Sequence, residues 1–82
     1  MRLTVAVRLF ARLREVAGAD LVRLDLERAT VAAVRDALAG RCPEAAALIA
    51  RSAVAVNGGY ATDDQPVVAD DEVALIPPVS GG

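Results

Sequence analysis

Arg2-Leu3-Thr4-Val5-Ala6-Val7-Arg8-Leu9 sets the architecture of this chain, because Leu3, Val5, Val7 and Leu9 alternate with Arg2, Thr4, Ala6 and Arg8. Successive side chains of a strand point to opposite faces, so this period of two predicts a strand with one buried and one exposed face. Such a strand needs neighbours along its edges and a cover over its apolar side. Downstream, Ala11 to Ala17 predicts a short helical turn, with Gly18 supplying the left-handed stop that lets the chain reverse. Leu21 to Leu26 then reads as a second strand with Val22, Leu24 and Leu26 inward, and the first two strands make a hairpin with a wide connection. Thr30 suits the N-cap of a helix over Val31 to Ala39, with Val31, Val34 and Leu38 on one stripe and Gly40 ending it. Pro43 suits the first turn of another short helix through Ala50, carrying Leu48 and Ile49.

Strand character returns after that. Ala53 to Val56 is a short β run, Asn57-Gly58-Gly59 is a turn signal, and Tyr60-Ala61 starts a brief return strand. Pro66 confines its neighbourhood to loop or sheet edge. Val67-Val68 leads into a turn at Ala69-Asp70-Asp71, and Glu72 to Ile76 forms a last strand ended by Pro77. The order is ββαββ with an extra short helix. Its compact solution is a mixed sheet of four to five strands with the two terminal strands adjacent and parallel, and one main helix across one face by a right-handed crossover. One or two short helices complete an α+β, ubiquitin-like β-grasp over residues 1–76, followed by an extended tail at 77–82.

The 82 residues suffice for one domain with a single modest core. Eighteen residues are alanine and the only aromatic side chains are Phe10 and Tyr60, so packing rests on Val, Leu and Ile. No apolar run approaches the ~18 residues that span a bilayer, and the alternating N-terminus is not a signal-peptide core. A cytoplasmic protein without a membrane partner is expected. Cys42 is the only cysteine and there is no histidine, which removes an internal disulfide, a cysteine metal cluster and the commonest general base. Self-contained acid–base or metal catalysis is therefore not expected. Asp63, Asp64, Asp70, Asp71 and Glu72 read as solvated turn carboxylates rather than a cation site. Cys42 reads as structural.

Charge divides unevenly along the chain. Residues 1–41 carry eight arginines against five acids, a net of +3, and 42–82 carry Arg51 against six acids, a net of −5. An acidic second half steers toward a basic pocket and argues against nucleic-acid binding through that end. All nine basic side chains are arginine, so no side-chain amine is available as an isopeptide acceptor.

The tail Pro77-Pro78-Val79-Ser80-Gly81-Gly82 carries the functional signal. Two prolines fix φ and remove backbone donors, directing the segment outward in extended geometry, and six residues reach roughly 20 Å. Gly81 and Gly82 present only backbone, which fits a narrow channel and leaves the terminal carboxylate as a candidate reactive group. Taken alone, a diglycine end favours the reading of a frayed terminus.

Three stretches carry a resemblance that decides between these readings: Leu9-Phe10-Ala11-Arg12-Leu13-Arg14-Glu15-Val16-Ala17-Gly18, Ala55-Val56-Asn57-Gly58, and Asp71-Glu72-Val73-Ala74-Leu75-Ile76-Pro77-Pro78-Val79-Ser80-Gly81-Gly82. Over essentially its full length the sequence resembles the small subunits of molybdopterin synthase, the MoaD-type sulfur carriers. The resemblance implies that an E1-like adenylyltransferase, which binds ATP and magnesium itself so that this chain holds no cofactor, activates the Gly82 carboxylate. A sulfurtransferase then supplies sulfur, and the Gly82 thiocarboxylate enters the large synthase subunit to build the molybdopterin dithiolene. It also implies partner contact by Phe10, Arg14, Tyr60 and Ile76 and by tail residues Pro77, Pro78, Val79 and Ser80, with Gly81 giving the tail its access. For Phe10, core packing is an equal reading, and for Arg14 a solvated helix-end charge is. Where relatives commonly carry Asp-Gly-Asp, this chain has Ala69-Asp70-Asp71, which puts Asp70 where glycine would take positive φ and implies either a cost of ~1 kcal/mol or a change of turn type. A carrier for another thiolation pathway (thiazole, cysteine or transfer-RNA sulfur) and a ubiquitin-like protein modifier are the alternatives.

Overall fold

The computed structural model describes residues 3–78. Strand β1 (Leu3–Leu9) is followed by helix α1 (Ala11–Ala17), strand β2 (Leu21–Leu26) and helix α2 (Val31–Arg41). A 3₁₀ turn at Pro43–Ala45 leads into helix α3 (Ala46–Arg51), then strands β3 (Ala53–Val56), β4 (Gly59–Ala61) and β5 (Val73–Ile76). They form one five-stranded sheet in the order β2-β1-β5-β3-β4. β1 and β5 are parallel neighbours, and the other three pairings are antiparallel. This is the ubiquitin-like β-grasp expected from the element order, with the first and last strands side by side at its centre.

The alternation of β1 does what its sequence predicts. Val5, Val7 and Leu9 are buried while Thr4 and Arg8 are exposed. Val22, Leu24 and Leu26 from β2, Val54 and Val56 from β3, and Val73 and Leu75 from β5 join them on the same face. Val31, Val34 and Leu38 of α2 close over this layer, with Leu13 of α1 and Ile49 of α3 filling the ends. Burial of each such aliphatic side chain contributes about 1.5–3 kcal/mol.

Helix α2 is anchored at its start by three acceptors. The Thr30 hydroxyl oxygen accepts from Ala33 N–H at 3.2 Å, and the carbonyls of Gln65 and Asp63 accept from Val31 and Ala32 N–H at 3.0 and 2.9 Å. These satisfy donors that a helix N-terminus leaves unpaired. The long loop around Pro66 is tied to the body in the same way, by Val67 N–H to Ala29 C=O at 2.9 Å and by the buried Val67 side chain.

Some local expectations need correction. Gly40 does not end α2; the helix runs through it to Arg41. The stop comes from Pro43, whose ring disfavours helical geometry in the preceding residue, and Cys42 accordingly leaves the helix at φ −127°, ψ 74°. The segment from Pro43 to Ala50, expected as one short helix, is a 3₁₀ turn passing into an α-helix that continues to Arg51. Of the two outcomes expected at Asp70, the change of turn type is the one found: among the described residues the non-glycine positions with positive φ are Ala11 and Asn57. The turn before β5 is closed instead by Asp71 N–H to Val68 C=O at 3.0 Å, so it asks nothing of Asp70 that an L residue cannot supply.

Arg35 is a structural residue rather than a solvated surface charge. Its guanidinium donates to Ile49 and Ser52 carbonyls at 2.8 and 2.7 Å and pairs with Asp63 at 2.9 Å. It thereby links α2, the C-terminal end of α3 and the loop after β4, capping carbonyls that α3 leaves open. No helix among the described residues is long and apolar enough to cross a membrane.

Candidate functional site

The face of the sheet opposite the helices is open. Strand register places Leu21, Arg8, Ala74, Ala55 and Tyr60 in one row across β2, β1, β5, β3 and β4. Beside that row, Ile76 pairs with Ala53, and Phe10 follows the last residue of β1. Alanine occupies the middle strands and larger side chains stand to either side, so the surface sinks along the centre. The resulting groove measures about 350 Å³. Ala55, Ala74, Val73 and Gly58 line it with Phe10, Tyr60 and Ile76, and Arg8 and Glu72 add one charge of each sign.

Phe10 is 46% exposed and Tyr60 78%, an unusual disposition for the only two aromatic side chains of a domain this small. Core packing of Phe10 is thereby ruled out. Aromatic groups left in solvent around an apolar depression are a mark of a contact surface, since they bury much area with few rotors to immobilise. The backbone at Phe10 explains its position. Ala11 takes φ 50°, costly for a residue with a Cβ, and this sharp turn from β1 into α1 leaves Phe10 extended at the groove rather than carried inward by the helix.

The turn bearing Tyr60 is held from both sides. Asn57 and Gly58 both have positive φ, 53° and 84°, as a two-residue hairpin turn matched to strand twist requires. Asn57 N–H donates to Glu72 C=O at 2.8 Å, and the Asn57 side-chain oxygen accepts from Glu72 N–H at 2.9 Å. Its amide nitrogen donates to the Asp71 carboxylate at 2.9 Å, whose other oxygen accepts from Val68 N–H at 2.8 Å. The Val68 N–H first, and the Asn57 amide second, hold the Asp71 carboxyl below its ordinary value of 3.8. Asn57 therefore fixes the β3–β4 turn to the segment entering β5, and so fixes Tyr60 relative to Ile76.

Of the residues expected from the sequence to meet a partner, Phe10, Tyr60 and Ile76 come together on this groove. Arg14 is exposed on α1 and does not line it. Pro77 is buried and Pro78 is exposed, so the chain is still packed against the body one residue past β5. Val79, Ser80, Gly81 and Gly82 lie outside the described residues. Sequence reasoning missed Arg8, Ala55, Ala74 and Glu72. The alternation that buries Val7 and Leu9 does turn Arg8 outward, and Ala74 lies likewise between Val73 and Leu75, but only the register brings them into one row. Among the described residues no group of three or more Cys, Asp or Glu side chains converges as a metal would require.

Comparison with known proteins places these features in context. The ThiS family model matches residues 7–82. The molybdopterin synthase sulfur carrier subunit of Dictyostelium discoideum is 37% identical over 78 residues, covering 90% of this chain and 91% of that one. Small archaeal modifier protein 1 of Haloferax volcanii is 42% identical over 84 residues, covering 92% of this chain and 97% of its own. A crystal structure of the same Haloferax protein superposes with a TM-score of 0.84 at 39% identity, covering 96% of this chain and 99% of that one.

Proposed function

This chain belongs to the ThiS family, and we propose that within it the chain is the sulfur-carrier subunit of a molybdopterin synthase, with Gly82 as the group that is charged. The observation that carries this reading is the conjunction of a preorganised apolar groove around Phe10, Tyr60 and Ile76 with a strand that runs directly from that groove toward the Pro-Pro-Val-Ser-Gly-Gly segment. Similarity to proteins named molybdopterin synthase sulfur carrier subunits supports it. A body that docks and an end that reacts need no catalytic pocket between them.

The chemistry follows from the carboxylate. Attack on it directly would have to expel oxide, so the Gly82 carboxylate oxygen first takes the adenylyl group of ATP, releasing pyrophosphate, in an E1-like partner that binds the nucleotide and magnesium. A persulfide sulfur of a sulfurtransferase then displaces AMP to form an acyl disulfide, and a thiol cleaves its S–S bond reductively to leave the Gly82 thiocarboxylate. The large synthase subunit accepts the tail, the thiocarboxylate sulfur attacks the cyclic pterin precursor, and water then cleaves the acyl C–S bond, leaving the sulfur on the pterin and returning the Gly82 carboxylate. Gly81 contributes by omission, since a Cβ there obstructs a channel closed around the tail. All of this takes place in the cytoplasm, where these partners would meet.

Intact-mass analysis after incubation with the activating enzyme, ATP and a sulfur source tests the reading. One oxygen of the C-terminal peptide should be replaced by sulfur, with none in a chain lacking Gly82 that retains its fold, and with the yield falling steeply for Gly81→Val. Sulfur on Cys42 instead, with Cys42→Ser inactive, overturns it.

A second reading, a protein modifier, is favoured by the 42% identity to small archaeal modifier protein 1. Its signature is an isopeptide between this chain's end and lysines of other proteins, recovered from an extract. Lacking lysine, the chain would not extend polymers on its own side chains.

A further inference from the structure

We propose that the docking face does not stop at the groove but continues across β1 to β2, and that the part of the partner laid over this extension presents an arginine or lysine to Asp70 and Glu72. The inference rests on the carrier reading, because it names chemistry the large subunit must offer.

Three observations carry it. Nine residues line the groove, and with the six of the tail they are still fewer than the roughly 20–30 residues a side of a stable protein–protein interface, which leaves room for contact beyond the groove. A second depression of about 270 Å³ adjoins the first, the two sharing Arg8, Glu72 and Val73. Its far wall is Leu21, which is 43% exposed and belongs to the same cross-strand row as Tyr60. In the opposite direction the sheet ends at β4, so β2 is the side on which the same surface continues.

Charge then selects the occupant. Asp70, Asp71 and Glu72 rim the second depression. The Asp71 carboxylate is already taken, one oxygen by Val68 N–H and the other by the Asn57 amide. No hydrogen bond or ion pair within the protein engages the side chains of Asp70 and Glu72 among the described residues, and both are exposed. Arg8 stands on the ridge between the depressions and is the one cation among the residues that line them, while Arg23, opposite Ala6 on β2, is exposed farther along the same face. An approaching surface therefore meets an apolar floor, one positive ridge and two uncommitted carboxylates at its edge. A basic side chain at that edge gains both contacts while its aliphatic stem covers Ala6 and Leu21.

Calorimetric titration of the purified large synthase subunit with the full-length chain tests this, using wild type, Tyr60→Asp, Leu21→Asp and Asp70→Arg, each checked for an unchanged melting temperature. Leu21→Ser replaces Leu21→Asp if the latter unfolds. Leu21→Asp and Asp70→Arg should each weaken binding about tenfold, and the Asp70→Arg loss should shrink at high salt while that of Leu21→Asp persists. If Tyr60→Asp weakens binding but either of the other two binds as wild type does, the extension is wrong and the carrier reading stands. Absence of binding by the wild-type chain overturns both.

Discussion

Val7, Arg8 and Leu9 are consecutive, yet Val7 and Leu9 are sealed in the core while Arg8 stands on an open groove. The same division runs through β5, where Val73 and Leu75 face inward and Ala74 and Ile76 outward. One face of the sheet is filled with branched aliphatic residues and roofed by helices. The other pairs alanines at its centre with exposed aromatics at its sides, an arrangement that does little for folding and leaves a surface unfinished until something covers it. The two faces share a backbone but not a purpose, so substitutions on them should have separable effects.

The largest effect should come from the inner face. Leu75→Ala should lower stability by about 2–5 kcal/mol, the usual cost of a fully enclosed cavity, seen as a lower urea midpoint at unchanged slope. A loss below 1 kcal/mol would mean that the core collapses around the gap and that the faces are less distinct than they look. Next comes Arg35→Ala, which removes the donor to Ile49 and Ser52 carbonyls and the partner of Asp63. About 1.5–3 kcal/mol should be lost, since charged donors to partly buried carbonyls are at stake. If Arg35→Met restores stability, packing of the stem rather than hydrogen bonding is the cause.

The outer face should behave differently. Tyr60→Asp should change stability by no more than about 0.5 kcal/mol in the same urea experiment, because the side chain is largely in solvent. A loss comparable to that of Leu75→Ala would erase the distinction between the faces. The smallest effect concerns the turn that aims Tyr60. Because the Asp71 carboxyl titrates below 3.8 in the folded state, its contribution is fully present above that value and fades as the pH falls through the lowered one. The Val68 amide resonance should therefore shift in that acid window, and Asp71→Asn should abolish the shift.

Much of this was legible in the residues themselves. The alternation in β1, the Gly18 stop with φ 74° and the Thr30 cap all formed where local chemistry placed them. Errors arose where two local signals competed. Gly40 is a weaker helix stop than a proline three residues later, and the segment that proline opens starts as a 3₁₀ turn before it becomes α-helix. Arg35 was illegible for another reason: its acceptors are backbone carbonyls of residues 14 and 17 positions away, and a carbonyl carries no sequence signature.

By itself, then, the sequence determined the elements, their order and the parity of each strand, because backbone preferences, capping and alternation act over a few residues. Only the tertiary structure decided which outward residues meet. The row from Leu21 through Arg8, Ala74 and Ala55 to Tyr60 draws on all five strands, and a slip of one residue in any pairing would turn its members to the opposite face. Register is set by how the whole core packs, so the groove, its charges and its extension toward β2 exist only once the chain has folded.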